Sequence, residues 1–280
     1  MVFSYGLAAQ DGRGHSRRVL KSLVRILLMS AILFRVAIML FAYMFADKII
    51  FQAQPATYRY TPEVFKITTS TGNKISAVYL PNPDAEYTIL YSHGNADDLG
   101  TVRERIEALR QIGFAVLAYD YEGYGTSEGQ PSEQNTYRDI DAAFDYLVNQ
   151  VGVPPERIIL HGWSLGGGVA ADLAARQKVA GLILESSFVS AFRVVTRAPI
   201  LPFDRFRTLS KLDKINCPIL VMHGTDDQVI PFWHGQMLFE IAREPKYRLW
   251  VPRGRHGNLS ITAGDKYVQT IRDFTASLRR

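Results

Sequence analysis

The segment Gly162-Trp163-Ser164-Leu165-Gly166 joins two stretches of opposite character. Aliphatic and β-branched residues precede it and an Ala/Leu-rich run follows it, which predicts a buried strand, a sharp turn and a helix. Glycines at both ends let the strand and the helix approach closely, where a Cβ would clash. Ser164 would then stand clear of the sheet as a nucleophile, and the Leu165 N–H could stabilise an oxyanion. The same pattern also arises by chance in a Gly-rich chain. The predicted strand before it and helix after it are what favour a nucleophile at Ser164.

The rest of the chain after residue 50 alternates strands with helices. Val64 to Thr68 and Lys74 to Leu80 predict a β-hairpin. Further strands are predicted at 87–91, 114–119, 157–161, 181–184, 219–222 and 248–251, and helices at 97–111, 132–150, 233–242 and 266–278. Regular alternation favours an α/β fold with a mostly parallel, doubly wound sheet.

Composition excludes several classes of function. The net charge of +5 belongs to residues 1–50, which hold seven Lys or Arg against two Asp, whereas the remainder balances 25 basic with 25 acidic residues. This asymmetry argues against nucleic-acid binding. The single cysteine, Cys217, excludes a disulfide framework and a cysteine-based metal site. Neither an H-E-x-x-H spacing nor a phosphate-binding glycine loop occurs, so we expect no metal and no cofactor.

An apolar stretch from Ile26 to Ala46 contains only one charged residue, Arg35. As a helix these residues would extend roughly 31 Å, about the thickness of a bilayer's hydrocarbon core. We expect a basic tail at 1–18, a membrane-anchor helix at 19–48 and a catalytic domain at 49–280. The alternatives are an amphipathic helix in the membrane interface, a helix docked on a soluble protein and a cleaved signal peptide.

Charges around this stretch predict its orientation. Only Lys48, beside Asp47, flanks the carboxyl end. Five basic residues precede the stretch: Arg13, Arg17, Arg18, Lys21 and Arg25. Positive charge is retained in the cytoplasm, so we expect a single pass with residues 50–280 on the extracytoplasmic side. A helix that failed to span would instead leave the domain on the cytoplasmic membrane surface.

A serine nucleophile needs a general base and an acid that orients the base. His256 lies in a Gly-flanked loop after the last predicted strand, where it is either the base or a surface histidine. Asp226 and Asp227 follow the strand at 219–222, and either could supply the acid or cap a helix; we prefer Asp227. The order of Ser164, Asp227 and His256 is the order found in α/β-hydrolases.

A second oxyanion donor is expected from the loop after the strand at 87–91. His93-Gly94-Asn95-Ala96 ends that strand, and the backbone N–H of Asn95 is our candidate. The same residues could form an ordinary strand-to-helix turn. The Gly-rich loop at 120–129 is interpreted as part of the pocket wall without a chemical role.

Five motifs together identify the chain by resemblance. They are HGN at 93–95, DYEGYGTSEG at 120–129, GWSLGG at 162–167, HGTDDQVIP at 223–231 and RHGN at 255–258. Residues 60–278 thereby resemble an α/β-hydrolase with a serine nucleophile. The apolar amino-terminal segment followed by IIFQ at 49–52 is similar to a membrane-anchored branch that includes protein depalmitoylases and serine aminopeptidase-like hydrolases. The resemblance implies that Ser164, Asp227 and His256 form the catalytic triad.

These observations predict an enzyme that cleaves an acyl ester or thioester through an acyl-enzyme. An amidase or peptidase of the same fold, and a non-catalytic binding module, remain the alternatives. Residues 187–216 form an apolar insertion that either makes a small lid over an acyl pocket or covers a sheet edge.

Overall fold

The computed structural model describes residues 11–59, 62–198 and 202–279, with side chains from residue 18 onward. Two compact units divide the chain, one ending at Ala46 and the other comprising Asp47–Arg280. Residues 1–10 of the expected basic tail lie outside the described residues, as do the side chains of Arg13 and Arg17.

Helix α1 (Asp11–Ile50) is a single continuous helix of 40 residues. Its stretch Arg18–Ile50 is the one described segment that is long and apolar enough to cross a bilayer. The side chains of its most apolar part are unburied. An exposed apolar surface of this length needs a non-aqueous environment or a protein partner.

The second unit is built on one eight-stranded sheet in the order β1-β2-β4-β3-β5-β6-β7-β8. The strands are β1 (Val64–Thr68), β2 (Lys74–Leu80), β3 (Thr88–Ser92), β4 (Ala115–Tyr119), β5 (Ile158–Trp163), β6 (Gly181–Glu185), β7 (Ile219–Gly224) and β8 (Lys246–Val251). The hairpin β1–β2 is antiparallel, β2 joins β4 antiparallel, and all later pairs are parallel. This confirms the mostly parallel sheet expected from the alternation of elements.

Helices cover both faces of the sheet. They are α2 (Arg103–Gln111), α3 (Glu133–Tyr146), α4 (Leu165–Ala174), α5 (Ala191–Thr196), α6 (Trp233–Ile241), α7 (Leu259–Ala263) and α8 (Asp265–Ser277). Alternate residues of β5 belong to different cores: Leu160 packs with α3, α4 and α6, whereas Ile159 packs with α2 and α8. Burial on both faces explains why the parallel strands are almost uniformly apolar.

Helix α2 begins six residues later than expected. The sequence suggested a start near Asp97, but α2 begins at Arg103. The Asp98 carboxylate accepts hydrogen bonds from the N–H groups of Thr101 at 2.9 Å and Thr57 at 2.6 Å. Such side-chain bonds offer the backbone an alternative to helix, so residues 97–98 are irregular and 99–102 form a turn.

The insertion at 187–216 follows an interior strand. Its residues 199–201 lie outside the described part of the chain, and the remainder contains α5 and a 3₁₀ segment at Thr208–Lys214. Strand β6 lies between β5 and β7, and the sheet ends at β1 and β8. Phe206 of the insertion is fully buried and packs close to Gly168 of α4. This places the insertion beside the carboxyl end of β6.

Candidate active site

Ser164 occupies the turn between β5 and α4 with φ 54° and ψ −116°. A positive φ is strained for a residue with a side chain and costs of order 1–3 kcal/mol, so the surroundings must hold it. The Ser164 N–H donates to the Glu185 carbonyl at 2.9 Å. The Ser164 carbonyl accepts from the Gly167 N–H at 3.1 Å and from the Ser187 hydroxyl at 3.0 Å.

The two glycines of the motif are required by close backbone approach. A Cβ on Gly162 would lie 2.3 Å from the Gly166 carbonyl oxygen. A Cβ on Gly166 would lie 2.0 Å from the carbonyl oxygen of Ser92 at the end of β3. Because real Cβ atoms do not approach backbone so closely, any larger residue would push α4 away from the sheet.

His256 and Asp227 converge on the serine from the ends of β8 and β7. The Nε2 atom of His256 lies 3.0 Å from the Ser164 Oγ, and its Nδ1 lies 2.8 Å from the Asp227 Oδ2. An ionised carboxylate only accepts hydrogen bonds, so Nδ1–H donates to Asp227 and Nε2 is left to accept the serine proton. The structure thus brings together the three residues proposed from the sequence.

Asp227 is held by its own loop as well as by the histidine. Its Oδ1 accepts the N–H groups of Val229 at 2.9 Å and Ile230 at 2.8 Å. Burial alone would raise the pKa of Asp227, but the hydrogen bond and charge of His256 and the Ile230 N–H outweigh burial and lower it. The carboxylate is therefore ionised at neutral pH and oriented toward Nδ1.

Asp226 points elsewhere. Its Oδ1 accepts a hydrogen bond from the Thr225 hydroxyl at 3.0 Å, and its side chain is exposed. The neighbouring carboxylates therefore differ in role: only Asp227 reaches His256.

The candidate oxyanion donors are the first residue of α4 and a residue of the loop after β3. Leu165 is the first residue of α4, so its N–H has no partner within the helix. Asn95 follows β3 in a loop where a Cβ on Gly94 would lie 2.7 Å from the Trp163 ring. Among the described residues, neither N–H donates a hydrogen bond, and both remain candidates for this role.

Two further residues at the site, Arg105 and Trp163, were not singled out from the sequence. The Trp163 Nε1–H donates to the His256 carbonyl at 3.3 Å, and the two rings lie 5.4 Å apart. The Arg105 guanidinium lies 4.3 Å from the centre of the Trp163 ring and donates to the Gly257 carbonyl at 2.7 Å. Together they hold consecutive carbonyls of the histidine loop.

Arg105 is itself fixed by a buried carboxylate. Glu185, 1% exposed, accepts hydrogen bonds from Arg105 at 3.3 Å, His161 at 2.9 Å and Tyr267 at 2.9 Å. Burial alone would raise the pKa of Glu185, but the His161 hydrogen bond and the Arg105 charge outweigh it and lower the pKa to about 2. The loop that carries His256 is thus held, through Arg105, by the buried charge of Glu185.

Relatives share both this chain's sequence and its fold. The alpha/beta hydrolase domain-containing protein 17B of Xenopus tropicalis is 40% identical over 76% of this chain and 74% of its own length. The human protein of the same name is 39% identical over 76% of this chain and 75% of its own length. The chain belongs to the α/β-hydrolase family. The family resemblance and the fold class expected from the motifs are thereby confirmed.

Other comparisons agree with this assignment. The family profile described as "Serine aminopeptidase, S33" matches residues 81–201. An esterase from Pyrococcus furiosus superposes with a TM-score of 0.69 at 20% identity, covering 81% of this chain and 98% of its own. An esterase from Rhodococcus superposes with a TM-score of 0.61 at 22% identity, covering 77% and 99%. At these identities the solved structures show the fold, and the family assignment makes the protein a hydrolase.

The contrast between the two aspartates is testable. We expect Asp227→Asn to lower kcat by roughly 10³- to 10⁴-fold, because an amide facing Nδ1 favours the wrong histidine tautomer. Asp226→Asn should retain wild-type kcat within about twofold. Steady-state hydrolysis of a p-nitrophenyl ester measures both, and greater sensitivity at Asp226 would move the acid by one residue.

The Arg105 contacts generate a second prediction. Arg105→Ala removes the hydrogen bond to the Gly257 carbonyl and the guanidinium over Trp163, so His256 should be misplaced and kcat should fall roughly 10-fold or more. Arg103→Ala, on the same helix, breaks only a surface ion pair with Glu63 at 2.9 Å and serves as the matched control. Thermal unfolding is followed in parallel, because Arg105→Ala also removes the countercharge of Glu185. Equal kcat values in the two variants would show that the contacts of Arg105 with Gly257 and Trp163 do not position His256.

Proposed function

We propose that this protein is a membrane-anchored serine hydrolase that cleaves an acyl ester or thioester through an acyl-enzyme. The observation that carries the proposal is the unbroken hydrogen-bonded relay from Ser164 Oγ to His256 Nε2, at 3.0 Å, and from His256 Nδ1 to Asp227 Oδ2, at 2.8 Å. A non-catalytic binding module would not require a strained serine aligned with a base and an acid.

In the proposed reaction, Ser164 Oγ attacks the acyl carbonyl while its proton passes to His256 Nε2. Asp227 stabilises the imidazolium, and the N–H groups of Leu165 and Asn95 stabilise the oxyanion. Collapse of the tetrahedral intermediate expels the alcohol or thiol, which takes the proton from His256. Water, deprotonated by His256, then attacks the acyl-enzyme and releases the carboxylic acid and free Ser164.

An apolar insertion beside the serine supports an acyl substrate. Ser187 bonds the Ser164 carbonyl at the start of the insertion, and Phe188 packs edge-to-face against Phe206 at 6.4 Å. Phe192 and Phe203 lie 5.8 Å apart within it. Because β6 is interior, we assign this segment to a lid over an acyl-binding pocket rather than to a sheet edge. A hydrocarbon chain would bind such a surface by the hydrophobic effect.

Cleavage of an amide is the second candidate, since the matching family profile carries the description of a serine aminopeptidase. Activity should be compared on p-nitrophenyl esters of increasing chain length, acyl thioesters and aminoacyl p-nitroanilides. The highest kcat/KM on an ester or thioester supports our proposal, and the highest value on an aminoacyl amide supports the second candidate.

For the domain organisation we propose a basic tail at 1–18, an anchor helix at 19–48 and a hydrolase domain at 49–280. The unburied apolar side chains of Arg18–Ile50 support a single membrane span. Arg35 opposes it at a cost of about 2.5–3.5 kcal/mol, which snorkelling of the long side chain reduces.

Replacing the nucleophile tests the chemistry. Ser164→Ala should abolish both ester hydrolysis and labelling by a fluorophosphonate probe, because Oγ is the attacking atom. Its thermal unfolding midpoint should stay at or above that of the wild type, since the positive φ comes from the turn and not from the hydroxyl. Ser210→Ala, an exposed serine, is the control and should label normally. Persistent labelling of the Ser164 variant would contradict the assignment.

Membrane topology follows from the charges flanking the apolar stretch. We expect the protein to resist carbonate extraction, and residues 50–280 to be digested by protease added outside the cytoplasmic membrane, in a Gram-negative cell after permeabilising the outer membrane. Release by carbonate would contradict the span, and protection of the domain from external protease would contradict the orientation.

A further inference from the structure

The side chain of Asn95 uses its hydrogen-bonding groups away from the serine. Its Oδ1 accepts hydrogen bonds from the Tyr124 hydroxyl at 2.8 Å and from the Gln52 N–H at 3.2 Å. Its Nδ2 donates to the Ile50 carbonyl at 2.5 Å. Both lone pairs of the amide oxygen are thus engaged. One side chain joins the loop after β3 to a segment more than 40 residues earlier in the chain.

That segment, Ile50–Gln52, belongs to the same compact unit as the sheet and immediately follows the apolar stretch of α1. Ile50 ends α1, so its carbonyl has no partner within the helix, and Asn95 supplies one. Phe51 is 7% exposed and packs edge-to-face against Phe206 at 5.8 Å and Tyr124 at 6.4 Å. Phe51 therefore anchors the segment to the core, and its neighbours Ile50 and Gln52 supply the bonds to Asn95.

On its other side the same loop contacts the elbow, the strand-to-helix turn at residues 162–166 that carries Ser164. A Cβ on Gly94 would lie 2.7 Å from the Trp163 ring, and a Cβ on Gly166 would lie 2.8 Å from the His93 carbonyl oxygen. The loop at 93–95 therefore lies between the elbow and the segment Ile50–Gln52. Movement of that segment would move the backbone of Asn95 relative to Ser164.

We propose that the Asn95 side-chain amide positions its own backbone N–H as an oxyanion donor by clamping it to Ile50, Gln52 and Tyr124. The inference rests on the proposed function, because it assumes that an oxyanion forms at Ser164. An oxyanion donor contributes only when it is preorganised at the right distance, so its supporting contacts matter as much as the donor. The segment following the membrane anchor is by this inference part of the catalytic apparatus.

The test uses full-length variants and two inhibitors. Asn95→Ala removes all three bonds. Gln52→Pro removes the N–H that donates to Asn95, from a position 43 residues away, and also fixes φ at residue 52 and restricts Phe51, so a proline control is needed. Ala56→Pro is the matched control, since the N–H of exposed Ala56 has no partner among the described residues and its side chain makes no hydrogen bond. We measure kcat and KM on a p-nitrophenyl ester, the affinity for an alkyl trifluoromethyl ketone, which forms a tetrahedral adduct, and the affinity for the corresponding methyl ketone, which serves as the ground-state analogue.

Removing one oxyanion donor costs about 10²- to 10³-fold in kcat, so misplacing one should cost roughly 10-fold or more. Asn95→Ala and Gln52→Pro should lose kcat and trifluoromethyl ketone affinity by similar factors, with KM and methyl ketone affinity within about twofold of wild type. Ala56→Pro should behave as wild type. If Asn95→Ala has a lowered unfolding midpoint, the comparison of Gln52→Pro with Ala56→Pro decides whether the bond to Asn95 affects catalysis.

Three outcomes would overturn the inference. If the wild type hydrolyses esters but both variants keep kcat and trifluoromethyl ketone affinity within twofold, the clamp has no catalytic role and the proposed function stands. Equal losses for the two ketones would show a general disturbance of the pocket instead. A wild type with neither hydrolysis nor probe labelling at Ser164 would overturn the proposed function and the inference with it.

Discussion

The backbone strain at Ser164 is the constraint on which the rest of the site depends. A residue with a side chain is held at φ 54° because strand, turn and helix leave it no other conformation. Gly162 and Gly166 permit the close approach of strand β5, helix α4 and the end of β3. The Glu185 carbonyl accepts the Ser164 N–H, and the Ser187 hydroxyl donates to the Ser164 carbonyl. The strain of roughly 1–3 kcal/mol is offset by burial on both sides of the sheet.

From this fixed point, parallel topology gathers the other groups. Strands β3, β5, β6, β7 and β8 run in the same direction, so the segments that follow them meet at one edge of the sheet. Asp227 follows β7 and His256 follows β8, and each is then held by hydrogen bonds within its own loop or from a neighbouring element. The candidate site is thus built from segments whose positions are set by apolar strands.

The sequence was sufficient where the determining interactions are local. The elbow could be predicted because its glycines, strand and helix are contiguous, and Asp227 and His256 follow strands recognisable by their apolar runs. The start of α2 could not, because the Asp98 carboxylate bonds to Thr57, 41 residues earlier. Arg105 contacts the Gly257 carbonyl across 152 residues, and no spacing along the chain indicates such a pair.

The insertion at 187–216 leaves the sheet after β6 and returns to it at the adjacent strand β7. Because β6 and β7 are parallel, the segment leaves at the carboxyl end of β6 and returns at the amino end of β7, so the sheet fixes both of its ends. Loop-closure entropy grows only logarithmically, by about 0.6 kcal/mol for each doubling of length. The part between Ser187, which bonds the Ser164 carbonyl, and Phe206, which packs beside Gly168, can therefore change in length at small thermodynamic cost. A grafted segment there would consequently change the surroundings of Ser164 while keeping the sheet that positions Ser164, Asp227 and His256.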